Sequence, residues 1–599
     1  MVSFKSHFGV WVNKFKSFHF SDLKLFIVAV GVGLTAGLLS LGFRECTALI
    51  QWIFYRFLDD TQWQLFGDLP WYWVLLAPTI GGLFVGLYAK WTLPNGRPVG
   101  IAQVMESSAL DGGRMSLKTG FHGAIVNAAS IGAGASAGRE GPVVHLGATV
   151  GAWVAKTLGL ARGSSRILLG AGVSAAVAAA FNAPLAGVFF ALEVVIGHYA
   201  VRALAPIVAA SVVATTFTRY VYGPYPAFQL APYELGSHWE YPAFALLGIV
   251  SAFSAIAFMR SVPIVSRAHN RFHIPQCLRP MLGGIVIGII ALSFPQVLGV
   301  GYGATTSALD MEFGFLLLVG LIFAKTAATA ITLGSGFGGG VFSPSLFLGA
   351  AIGGAFGIVA GQIAPGVMGD EAHIFAGERA YALVGMGAYA AAILGAPIST
   401  ILMIFEITTD YALTTAVMIA VVASVATTSA LHGPSFFRGQ FNDRGIDLEK
   451  NRLEADLLRD IKVEGVVSSN FARIYPDVPL SDVRMQLQTA AFGELFVVDK
   501  DDKLIGTITL AELAPEAFDR ELDALIIARD ITRLQPPMLE VSSSLQDALQ
   551  IMENRAEAHI PIVDNHENRK ILGVIHERDI MLAYNEALVK VHRDESAAF

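Results

Sequence analysis

A chain of 599 residues with mean hydropathy +0.56, 54% hydrophobic residues and only 15% charged ones is too apolar to be a string of soluble domains. Its net charge of −7 includes no long basic run, which argues against nucleic acid as a partner, and two cysteines exclude a disulfide framework and most thiolate metal sites. The composition is that of an integral membrane protein with the lipid bilayer as solvent.

Residues 1–24 interleave Lys5, Lys14, Lys16 and Lys24 with Phe4, Trp11, Phe15 and Phe18 and lack the apolar core and cleavage site of a signal peptide. They are expected to form an amphipathic helix lying on the inner membrane face. From 25 to 440 apolar segments follow one another, and between Ala380 and His432 the only formal charges are Glu406 and Asp410. Many segments are too short or too broken to be simple spans. Pro142, Pro184, Pro344 and Pro397, with glycines throughout, predict interrupted helices whose ends are buried in protein. The expected fold class is a polytopic α-helical membrane protein.

Within this region the sequence repeats. FNAPLAGVFFALEVV (181–195) and LGAPISTILMIFEIT (394–408) share Ala-Pro followed by a glutamate nine residues after the proline, Glu193 and Glu406. PVVHLGATVG (142–151) and PSLFLGAAIG (344–353) match at the proline and then at Leu, Gly, Ala and Gly. Two pairs in the same order define two homologous halves, about 70–222 and 280–431. In membrane transport proteins such halves are often inverted and place the substrate between broken helices. Glu193 and Glu406 are expected to be structural carboxylates bonded to backbone amides.

One charge stands out in the first half. In GASAGREGPVVHLGATVG (134–151), Pro142 sets a helix start and leaves Glu140 at its N-terminus inside an apolar run. The second half offers GSGFGGGVFSPSLFLGA (334–350), where glycines free the backbone and Val341 and Phe342 present amides just before Pro344. Helix N-termini favour an anion through unpaired amides without the tight hold of a full cation. Glu140 therefore reads as a tethered competitor of a permeating anion for those amides.

After Leu431 the composition turns polar. A charged linker is expected at 441–460, followed by two similar α/β modules at 461–518 and 527–590, each running strand, amphipathic helix, strand pair.

These motifs resemble the CLC family of chloride channels and chloride/proton exchangers. GREGP (138–142) matches its gating-glutamate motif, GGGVFSP (338–344) its second anion-coordinating loop, and NAPLAG (182–187) and GAPIST (395–400) its paired internal motifs; the C-terminal modules resemble a CBS pair. The resemblance implies a CLC-type inverted repeat over 25–440 and a homodimer with one pore per subunit in the plasma membrane. It further implies cytoplasmic termini, Glu140 as external gate, chloride or another small anion as substrate, and no enzymatic activity. The anion would lie among Val99, Gly100, Ile101, Arg139, Gly141, Gly340, Val341, Phe342 and Phe437.

The departures from the family pattern matter as much. PVGIA (98–102) replaces GSGIP, so Val99 stands where a serine hydroxyl is usual, and Phe437 falls on the pore tyrosine. Each missing donor should weaken central binding by roughly 1 kcal/mol. Val194 occupies the position of the exchangers' inner proton-relay glutamate, which favours passive, channel-like conduction gated by Glu140 over chloride/proton antiport. In antiport, protons would need another relay. In the CBS pair, the family's adenine-nucleotide cradle is half-present twice: Thr509 with Glu512, and His576 with Asp579. Nucleotide regulation and a purely dimer-stabilising role both stay open, and no other cofactor or metal is expected. An intramembrane zinc protease with CBS modules would need HExxH on a membrane helix, and the only His-Glu pairs, His566-Glu567 and His576-Glu577, lie in the soluble tail.

Overall fold

The computed structural model describes residues 22–58, 62–199, 201–228, 240–363, 374–442, 461–490, 493–513, 525–555 and 557–597, with Leu458 and Asp523. The chain divides into two compact units, Met1–Ile446 and Asp447–Phe599. Residues 1–21 of the expected interfacial helix and nearly all of the 441–460 linker lie outside the described residues.

Among the described residues of the first unit, nine helices are long and apolar enough to cross a membrane, from Leu23–Tyr55 to Tyr411–Phe441. Other helices are short. Pro184–Phe190 continues as a π-helical turn, Ala191–Ile196, and its counterpart is Pro397–Thr408. In both, a residue in the left-handed region, Asn182 (φ 57°) or Gly395 (φ 66°), ends the preceding helix, and an Ala-Pro pair starts the next.

These two short helices cap each other. Glu193 accepts hydrogen bonds from the amides of Ile398 (3.1 Å) and Ser399 (2.9 Å), at the start of Pro397–Thr408. Glu406 accepts from Leu185 (2.9 Å) and Ala186 (2.8 Å), at the start of Pro184–Phe190. Each half supplies the carboxylate that satisfies the orphan N–H groups of the other, favourably placed against the dipole. The backbone bonding expected for these two glutamates is present.

Close helix packing also repeats. Glu140–Leu158 lies against Arg162–Phe181, and Phe342–Ile363 against Ile374–Leu394. At Gly349 a side chain would come within 2.6 Å of Met386 Cα, and at Gly353 within 2.8 Å of Ala382 Cα. Gly147 and Gly151 meet backbone of Gly172 and Leu168 in the same way. These are the aligned glycines of the two repeats, and only glycine permits such approach.

The described residues of the second unit form two sheets, of four and three strands, that share one pattern. Strands β1 (Ala472–Ile474), β2 (Glu494–Val498), β3 (Leu504–Thr509) and β4 (Arg533–Leu534) lie in the order β1-β2-β3-β4. Strands β5 (Leu539–Glu540), β6 (His559–Val563) and β7 (Ile571–His576) form the second sheet. In each, a parallel pair adjoins an antiparallel hairpin with a register shift at the same place, Val497/Val498 and Ile562/Val563. The sheets share a core in which Phe496, Val498 and Leu504 meet Val563, Ile571 and Val574.

Removing one carboxylate cap, Glu406→Ala, should leave the Leu185 and Ala186 amides unsatisfied and lower stability by about 1–3 kcal/mol, read as an earlier thermal unfolding transition of the detergent-solubilised protein. Glu193→Ala should cost at least as much, since that carboxylate accepts from the Ile398 and Ser399 amides and from the Ser399 hydroxyl as well.

Candidate functional site

Two loops meet where the repeats face each other. Gly138 and Gly340 exchange both backbone hydrogen bonds, Gly138 N to Gly340 O at 2.7 Å and Gly340 N to Gly138 O at 2.8 Å. Each loop is also held by the helix that precedes the other. Ser136 N donates to Thr332 Oγ1 at 3.1 Å, and Gly338 N to Ser130 Oγ at 2.9 Å. Ser130 and Thr332, and Ser136 and Gly338, stand at the spacing that separates Pro142 from Pro344, so the contacts obey the pseudo-twofold of the repeat. Gly339, at φ 137° with Ala137 against it, has room only for hydrogen.

The bridge brings two helix N-termini together. Glu140–Leu158 begins at Glu140 itself, and Phe342–Ile363 at Phe342. Glu140 is 1% exposed. Its Oε1 accepts from Tyr302 Oη at 2.6 Å and its Oε2 from Ser343 Oγ at 2.6 Å. Those are hydroxyls, whereas the sequence suggested that the amides before Pro344 would hold this carboxylate. The reason is geometric: packing brings the Tyr302 phenol to one carboxylate oxygen and the Ser343 hydroxyl to the other, leaving the Val341 and Phe342 amides unengaged among the described residues.

The N–H groups of Ile101, Gly141, Val341 and Phe342 have no acceptor among the described residues. Gly100 N is taken by Gln103 Oε1 at 2.8 Å, inside the same first turn. Val99 is buried, with its carbonyl accepting from Asn127 Nδ2 at 3.3 Å. The short helix after it, Ile101–Ala109, packs against both Phe436–Asn442, which carries buried Phe437, and the π-helical turn that carries buried Val194. Arg139 lies with its guanidinium 4.5 Å from the centre of the Tyr302 ring.

A cavity of about 590 Å³ opens beside this helix, lined by Arg97, Val99, Gln103, Glu106, Arg114 and His145 among others. It joins the first loop to the helix that starts at Glu140. Among the described residues, no group of three or more His, Cys, Asp or Glu stands close enough to hold a metal ion.

In the second unit, Thr509 and His576 end equivalent strands, paired with Glu494 and His559. The two histidine rings lie 4.6 Å apart, and His576 Nδ1 accepts from Arg578 N at 2.8 Å. Burial, then the neighbouring His559, hold His576 below the ordinary imidazole range. Asp579 follows in the helix Glu577–Ala597, and the side chain of Glu512 lies outside the described residues.

Tyr302 escaped the sequence reading. It is separated from Glu140 by 162 residues, and a tyrosine after Gly301 in an apolar stretch carries no signal of its own. Ser343 lay inside a recognised motif, but its neighbours' amides drew the attention.

This arrangement is that of an anion-transport membrane protein. The family model for voltage gated chloride channels matches residues 81–429, and CBS domain models match 463–517 and 528–586. A Ralstonia nicotianae protein described as a ClcB-like chloride channel protein is 32% identical over 419 residues, 68% of this chain and 94% of its own. Chloride channel protein CLC-f of Arabidopsis thaliana is 28% identical over 635 residues, 92% of this chain and 79% of its own. The crystal structure of a slow cyanobacterial Cl⁻/H⁺ antiporter matches with TM-score 0.61 at 24% identity, covering 72% of this chain and 99% of that one. The chain belongs to the voltage-gated chloride channel (CLC) family and carries a C-terminal CBS pair.

Tyr302→Phe removes one of two charge-assisted bonds to Glu140, each worth about 1.5–3 kcal/mol. Release of the carboxylate should become roughly tenfold or more easier, and chloride flux at neutral pH in reconstituted vesicles should rise.

Proposed function

We propose that this protein conducts chloride passively across a membrane, gated by displacement or protonation of Glu140. The observation that carries the reading is the position of that buried carboxylate, held by two hydroxyls at the junction of two helix N-termini whose first amides have no acceptor among the described residues. Such amides stabilise an anion by partial charges, firmly enough to admit it and weakly enough to let it leave. A tethered carboxylate offers the same charge at the same place, so anion and side chain exclude each other. Val194 supports passive conduction, since it puts a buried apolar side chain where a relay would need a proton acceptor.

One observation supports a second reading, proton-coupled antiport. The cavity beside the Ile101–Ala109 helix is lined by Glu106 and His145, and His145 lies on the helix that starts at Glu140. Both could take protons in place of the carboxylate missing at position 194. The family's dimeric assembly, and an adenine nucleotide held near Thr509 and Asp579, belong to this proposal too; calorimetric titration with ATP tests the latter.

Vesicles loaded with chloride should release it under an applied potential without proton movement, and Glu140→Gln should give flux that no longer varies with pH. Stoichiometric proton pumping driven by a chloride gradient would establish antiport, and pH dependence that survives Glu140→Gln would remove Glu140 as the gate.

A further inference from the structure

Lys325 lies midway along Phe315–Ser335, a helix long and apolar enough to cross a membrane, and its side chain is fully buried. Among the described residues its ammonium has no carboxylate partner. Nζ donates to Val297 O at 3.1 Å and lies 5.4 Å from the centre of the Phe347 ring. One carbonyl and one aromatic face are weak compensation for a cation removed from water. A charge so placed calls for an anion that the fold brings near it.

The contacts of Nζ lead toward Glu140. Val297 opens the loop that ends at Gly301, where a side chain would come within 3.1 Å of Nζ, and the next residue, Tyr302, donates to Glu140 Oε1. Phe347 lies one helical turn beyond Ser343, on the same face, and Ser343 donates to Glu140 Oε2. On its own helix, Thr329 lies one turn after Lys325 and its hydroxyl meets that of Ser136 at 3.2 Å, in the loop that leads into Glu140. The two groups that Nζ meets, Val297 O and the Phe347 ring, thus belong to the two segments that carry Tyr302 and Ser343. Arg139, over the Tyr302 ring, is the other cation at this place.

We propose that Lys325 is the fixed counter-charge of the anion pathway, balancing the Glu140 carboxylate when the gate is shut and the transported anion when the carboxylate has left. The inference rests on Glu140 as the gate. It explains how a pathway lined by neutral amides holds an anion: the positive charge stands behind the lining and does not touch the ion, so it raises occupancy without a contact that would trap it. When the gate moves, charge balance around Lys325 is kept by the incoming anion.

The test is calorimetric chloride titration of the purified full-length protein in a Glu140→Gln background, where no carboxylate competes. Adding Lys325→Met, which keeps length and removes charge, should lower chloride affinity about tenfold or more, whereas Lys325→Arg, which keeps the charge, should stay within about threefold. Unchanged affinity in Lys325→Met overturns the proposal, and so does an equal loss in both variants, which would mark a packing role. If Lys325→Met does not yield monodisperse protein, Lys325→Gln is judged by the same criterion. The gate reading fails separately, through flux that stays pH-dependent in Glu140→Gln alone, and that outcome leaves the affinity comparison readable.

Discussion

Helix ends carry unsatisfied amides, and in a membrane domain those amides cannot be left to water. In this protein the constraint is met largely by pairing: the two halves of the chain satisfy each other at the two facing loops and at the two short Ala-Pro helices. Gly138 and Gly340 exchange two backbone bonds, Ser130 and Thr332 each hold the opposite loop, and Glu193 and Glu406 each cap the opposite short helix. Once those groups are consumed, the amides of Gly141, Val341 and Phe342 are left over beside the loops that meet at Glu140, with that of Ile101 at the start of a helix that packs on Glu140–Leu158. The proposed anion site is what remains after the repeats have satisfied each other.

The charges follow the same economy. Glu193 and Glu406 each hold two backbone amides, Glu193 with the Ser399 hydroxyl besides, while Glu140 touches only hydroxyls among the described residues, a hold that can be exchanged. A carboxylate bound to amides at a helix start is a cap; one bound to a phenol and a serine can leave for water or a proton without breaking the helix. Backbone capping thereby falls to Glu193 and Glu406, and the proposed gate to a different glutamate in the same fold. The glycines serve close packing, since the approach of Phe342–Ile363 to Ile374–Leu394 leaves no space for a side chain at Gly349 or Gly353.

Much of this was legible from residues alone. The spacing of Ala-Pro to glutamate marked Glu193 and Glu406 as equivalent, and the structure gives each a pair of backbone amides at the start of the opposite helix. The aligned Gly147 and Gly349, and Gly151 and Gly353, proved to be close-packing positions in both halves. In the C-terminal modules the strand-helix-hairpin order was readable because alternating apolar residues and turn signals are local. Less legible were contacts made across long separations. Tyr302 reaches Glu140 from the far half, and Lys325 sits in an apolar helix whose sequence period says nothing of what lies behind it.

The sequence by itself determined the membrane class, the two-fold repetition, the position of Glu140 at a helix start and the CBS pair, because each depends on local pattern: hydropathy, proline and glycine placement, and motifs of a few residues. Only the tertiary structure decided which partner holds each of these groups. It replaced amides by the hydroxyls of Tyr302 and Ser343 at Glu140, occupied the Gly100 and Gly340 amides, and buried Lys325 against Val297 and Phe347. Those outcomes turn on which backbone groups are already hydrogen-bonded when the halves close, and that competition is settled by packing in three dimensions, with no trace in the order of residues.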